Sequence, residues 1–185
     1  MKQALAILVL LVSGVAGLNA QTTAMDLDGK PFDPLSASPS KTTVLVFVRK
    51  DCPISARYAP EIERLSEQYR KNAQFYLVFP DKTESAAEIH KYLHDFAYTV
   101  PALRDPGHAL VHRASAQVTP EAAVFDAKGA LVYHGRIDNL YQDIARKRPQ
   151  ATTHELDDAL RSATQGVPLL ARETRAVGCC ISDLP

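Results

Sequence analysis

The chain has 185 residues, 46% of them hydrophobic and 23% charged, and its 21 basic and 21 acidic residues give a formal net charge of +0. These proportions are those of an ordinary globular protein of one domain that buries its own core. They exclude the basic surface that nucleic acid or an anionic membrane calls for, and no internal repeat or low-complexity segment is present.

The first twenty residues stand apart. Lys2 is their only charge, Ala4 to Val15 is almost wholly apolar, and Gly17, Asn19 and Ala20 are small or polar. This is the pattern of a secretory signal peptide cleaved near Ala20-Gln21, and the apolar run is short for a transmembrane helix. The reading gives a signal peptide over 1–20, a folded domain over 21–166 and a C-terminal tail over 167–185. It expects a secreted or periplasmic protein that leaves the membrane after cleavage. Disulfides persist in such compartments. Yet the only cysteines are Cys52, Cys179 and Cys180. Three are too few for a disulfide-built scaffold, and an odd number leaves a thiol over within one chain, so their role is expected to be chemical.

Residues 23–41 are rich in Asp, Ser, Pro and Gly, with a turn at Asp28-Gly29, and read as an irregular lead-in holding at most a short hairpin. Thr42 to Val48, "TTVLVFV", is a continuous β-branched and apolar run, as in a strand buried on both faces. A helix follows, with Ile54, Tyr58, Ile62, Leu65 and Tyr69 on one face and Pro60 inside it as a kink. Gln74 to Phe79 is a second strand and Ser85 to Phe96 a second helix. Val100 to Leu103 is extended, Asp105-Pro106-Gly107 a turn, and His108 to Ser115 a short helix. Glu121 to Phe125 and Ala130 to Arg136 read as an antiparallel hairpin, and Thr153 to Gln165 as a last helix stopped by Gly166. The tail ends in "VGCCISDLP". A βαβ unit followed by a hairpin predicts an α/β fold with a mixed sheet covered by helices on both sides.

Four features together resemble the redoxin branch of the thioredoxin fold, the AhpC/TSA and TlpA-like proteins. "VLVFVRKDCP" ends the first core strand on a cysteine-proline pair, Cys52-Pro53. Pro60 follows where this fold carries its helix proline. "VPALRDP" with a short helix is similar to the redoxin insertion, and "VTPEAAVFDAKGALVYHG" to the second family signature. The resemblance spans residues 25 to 165. It implies a thioredoxin-like mixed sheet flanked by helices, with an irregular C-terminal tail, and a cis Thr119-Pro120 bond beside Cys52. Departures accompany it. Ser55 stands where redox-active relatives carry the second cysteine of C-x-x-C, Val46 where thioredoxins bury an acid, and Arg49 where peroxiredoxins carry a threonine.

The chemistry of Cys52 can be argued beside the family. A thiolate is the nucleophile in disulfide exchange, and a cysteine at a helix N-terminus faces unpaired N–H groups that favour it. Arg49 and Lys50 are expected to push the same way and Asp51 against them. Ser55 cannot resolve a mixed disulfide. Cys52 is left to act alone, to pair with Cys179 or Cys180, or to ligate a metal. Gly178 makes Cys179 the better candidate, because it frees the backbone to turn back toward the site. His90 with His94, and His108 with His112, have metal-compatible i, i+4 spacing. No carboxylate or cysteine completes either motif, so no metal or cofactor is expected there.

The expected function is therefore an exported thiol–disulfide oxidoreductase acting on thiol or disulfide partners. Cys52 is its nucleophile, Cys179 or Cys180 its resolving thiol, and the Thr119-Pro120 loop presents backbone to the bound sulfur. The alternatives are a peroxidase acting on peroxide and a non-catalytic module holding copper or another soft metal.

Overall fold

The structure, a computed structural model, describes residues 24–38, 40–182 and 184, so the expected signal peptide lies outside the described residues. Among the described residues no helix is long and apolar enough to cross a membrane. The lead-in forms a short hairpin, β1 (Ala24–Met25) with β2 (Pro31–Phe32), around a turn in which Gly29 takes φ +82°. The continuous apolar run becomes β3 (Thr42–Phe47), every residue of which is buried. Its side chains alternate as a strand requires: Val44 and Val46 enter one core, Leu45 and Phe47 the other. Two-sided burial is why this segment shows no polar alternation.

The single kinked helix expected around Pro60 is instead two, α1 (Pro53–Arg57) and α2 (Ala59–Tyr69), joined at Tyr58. Proline has no N–H with which to continue the helical ladder, but it fits the first turn of a new helix, where that N–H would be unpaired anyway. Next come β4 (Ala73–Phe79), α3 (Ala86–Asp95), β5 (Ala102–Arg104) and α4 (Ala109–Ala114). Ser85 starts α3 with a reciprocal cap: its Oγ accepts from Glu88 N, and Glu88 Oε2 accepts from Ser85 N. Then follow β6 (Val118–Thr119), β7 (Glu121–Phe125), β8 (Leu131–Gly135), α5 (Glu155–Gln165) and β9 (Cys179–Cys180).

Seven strands form one mixed sheet in the order β2-β1-β5-β4-β3-β7-β8. β3, β4 and β5 run parallel, and β7 and β8 complete the sheet antiparallel. One face packs against α2, α3 and α5 through Ile62, Leu65, Ile89, Leu156 and Leu160. The other is covered by α4 through Leu110 and Val111.

The tail is irregular for most of its length but follows a fixed course. It passes the free edge of β8, where His134 N donates to Arg172 O at 3.0 Å and Thr174 N to His134 O at 3.2 Å. Gly135 lies so close beneath it that a Cβ there would stand 2.3 Å from the Thr174 carbonyl oxygen. The Thr174 hydroxyl also meets Tyr133 OH at 2.6 Å. The chain then reaches β9, which pairs antiparallel with β6 and places Cys179 opposite Thr119. Ile181 is buried in the α4-side core, which anchors the far end.

Candidate active site

The end of β3 delivers Cys52 to the N-cap of α1, with Pro53 at the first helical position. The residue is only 1% exposed. Its thiol donates to the carbonyl oxygen of Thr119 at 3.1 Å. The Thr119-Pro120 peptide bond is cis. Across the β6–β9 pairing, the Cys179 thiol donates to Cys52 Sγ at 2.9 Å, and all three cysteines are free thiols. Residues 127 positions apart in sequence thus come together in one contact, the buried Cys52 against the half-buried Cys179. Cys180, next in the same strand, faces the other way, as strand alternation requires. It is exposed and lines a groove between the tail and the 141–148 loop.

Gly178 permits this arrangement. A Cβ at this position would stand 2.1 Å from the Thr119 carbonyl oxygen, so only glycine lets the tail backbone approach the loop this closely. Glu121 braces the loop from the other side: its buried Oε2 accepts from Gln117 N at 2.8 Å and Val118 N at 3.2 Å. An acid heading an otherwise apolar strand was the available sequence signal for that role.

Electrostatics separate the two thiols. Burial pushes Cys52 up, but hydrogen bonds from the Cys179 thiol and from the Ser55 side chain and backbone outweigh it, so Cys52 sits below the ordinary thiol value. Cys179 is pushed up to about 11, first by burial and then by the neighbouring Cys52. Cys52 is therefore the group of the pair that ionises first. Ser55, in the position of the absent local cysteine, is fully buried and also accepts from Arg49 N at 3.4 Å.

The expected push from Arg49 and Lys50 is spent elsewhere. Arg49 Nε lies 3.3 Å from Asp81 Oδ2, and Lys50 Nζ lies 3.1 Å from Glu88 Oε1 and 3.5 Å from Asp51 Oδ2. Hydrogen bonding, not these cations, acidifies the thiol. Sequence reasoning missed Glu84, a buried acid that accepts from Lys50 N at 2.7 Å. His90, His94 and His112 are exposed and His108 half-buried. Among the described residues no three His, Cys, Asp or Glu side chains stand together as a metal site.

Comparison with known proteins finds the same fold elsewhere. A hypothetical protein of Sinorhizobium meliloti has the same fold at TM-score 0.72 and 18% identity, over 86% of this chain and 88% of that one. A protein of Geobacillus kaustophilus matches at TM-score 0.73 and 21% identity, over 88% of each chain. A secreted disulfide oxidoreductase of Mycobacterium tuberculosis, homologous to DsbE of Escherichia coli, matches at TM-score 0.56 and 19% identity, over 77% and 96%. No curated protein matches the chain. The Redoxin family matches residues 13–148. With that match over most of its length, and a thioredoxin-like sheet that brings a buried cysteine to a cis-proline loop, the chain belongs to the redoxin family.

Proposed function

We propose that the protein is an exported thiol–disulfide oxidoreductase whose working couple is Cys52 and Cys179. The observation that carries this reading is the 2.9 Å contact between the two sulfurs. Redoxin membership and the oxidoreductase named among its structural neighbours support the reaction class.

The chemistry follows from the unequal thiols. Cys52, as thiolate, attacks one sulfur of a partner disulfide. A Cys52–partner bond forms, the partner's S–S bond breaks, and the partner's other sulfur leaves as thiolate and takes up a proton. The tail moves aside for this step, because Cys52 is closed over while Cys179 is docked. With Cys52 in a mixed disulfide, the charge that helped raise Cys179 is gone and Cys179 loses its proton more readily. The Cys179 thiolate then attacks Cys52 Sγ, expelling the partner's remaining sulfur as a thiol. Two electrons have passed to the partner, the protein holds a Cys52–Cys179 disulfide, and an external dithiol restores it.

The test is reduction of a protein disulfide, with insulin as probe and dithiothreitol as electron donor. The full mature chain should accelerate the reaction above the dithiothreitol background at pH 7.5. A rate equal to background, with correctly folded protein, would overturn the reading.

A further inference from the structure

Glu84 lies in the connection between β4 and α3 and is 1% exposed. One carboxylate oxygen accepts the backbone N–H of Lys50 at 2.7 Å. The other is buried with no hydrogen-bond partner. A buried carboxylate with an unpaired oxygen costs stability, and a neutral side chain would serve a purely structural need better. Its one bond goes to the turn that presents Cys52, a turn closed by Cys52 N donating to Arg49 O at 3.1 Å. Neighbouring carboxylates clasp the same turn through its side chains: Asp81 faces Arg49, and Glu88 faces Lys50.

We propose that Glu84 is a positioning residue for Cys52, which holds the 49–52 turn that presents the thiol by accepting the Lys50 amide on a buried carboxylate. The proposal rests on Cys52 being the nucleophile. The groups facing Glu84 are Arg49 and Lys50 from the turn, Asp81 from its own connection and Tyr92 from α3. From the α4 side, His108 Nε2 meets Pro80 O at 3.2 Å. Burial pushes Glu84 up to about 7 against the opposing Lys50 hydrogen bond, so the charge appears within the working pH range. Below that pH a neutral carboxyl holds the Lys50 amide, and above it the ionised carboxylate grips the turn more strongly, through a charge-assisted bond.

Linkage gives an independent readout. The folded-state value lies above the ordinary 4.5, so the contribution of Glu84 to stability is fully present below about 4.5 and is lost as pH rises through about 7. The experiment compares the full mature chain with Glu84→Gln, which keeps an oxygen for the Lys50 amide but no charge, and Glu84→Ala, which keeps neither. Alkylation of Cys52 by iodoacetamide is followed by peptide mass spectrometry from pH 5 to 9, with Tm at each pH. The wild type should show an inflection near pH 7 besides that of the thiol. Glu84→Gln should lose it and show a smaller fall in Tm between pH 5 and 8. Glu84→Ala should lose the inflection too and broaden the spread of Cys52 rates. A Glu84→Gln profile superimposed on the wild type, with Cys52 reactive in both, would overturn the proposal and leave Cys52 as nucleophile. Cys52 unreactive in every variant would overturn both.

Discussion

Cys52→Ser should bring disulfide exchange down to the uncatalysed background, whereas Cys179→Ser should keep the first step and stall on the second. The serine hydroxyl is no nucleophile toward a disulfide at neutral pH, and neither remaining thiol replaces Cys52 at the Thr119 carbonyl. In Cys179→Ser the mixed disulfide must wait for an external thiol. A resolving thiol held against its target behaves as if at molar concentration or higher, against millimolar donor, so resolution of the mixed disulfide should slow by about 10²-fold or more. The adduct should accumulate and run on a non-reducing gel as protein joined to its partner. Cys180→Ser should turn over close to the wild type, because its side chain points away from Cys52. Equal losses in Cys179→Ser and Cys180→Ser would mean that the tail rearranges and either cysteine resolves.

Removing the docked tail should expose Cys52 in spite of a less acidic thiol. Deleting residues 178–185 takes away the β6–β9 pairing and the buried Ile181. Burial of one such side chain and a few backbone hydrogen bonds, less the entropy of ordering the segment, leaves docking worth about 2–3 kcal/mol. At that value the tail stands open roughly 1% of the time, which protects Cys52 by about 10²-fold from a bulky maleimide. The deletion also removes the Cys179 hydrogen bond that lowers Cys52. That loss reduces the thiolate fraction by at most about tenfold if the pKa rises by about one unit. Access wins, and labelling should rise by about tenfold or more at pH 7.5. Gly178→Val in the full chain should act in the same direction, because its side chain meets the Thr119 carbonyl. Unchanged labelling in both variants would mean that the tail does not guard the thiol.

The parts of this arrangement that sequence made legible are those fixed by local chemistry. The apolar run at 42–48 suited a strand buried on both faces, and Asp126-Ala127-Lys128-Gly129 between two apolar runs read as a hairpin turn. Gly166 ended its helix as expected, with φ +73°. Pro60 was legible as a disruption, but not as part of the first turn of a new helix that starts after the buried Tyr58. The course of the tail was less accessible. Its contacts are long-range backbone pairs and two close approaches, at Gly135 and Gly178, and a glycine does not announce what will lie against it. Glu84 was hidden for a related reason. In "PDKTESAAE" it looks like one more acid near a helix start, and only the fold carries the 49–52 turn over it.

The central claim is that Cys52 works with the distant Cys179. Peptide mapping of the oxidised protein under non-reducing conditions tests it most directly. The predicted result is a single intramolecular bridge joining the peptides of Cys52 and Cys179, worth about 4–5 kcal/mol by loop closure if unstrained, with Cys180 recovered as a free thiol. Three free thiols after exposure to oxidant, or a bridge joining only Cys179 and Cys180, would contradict it.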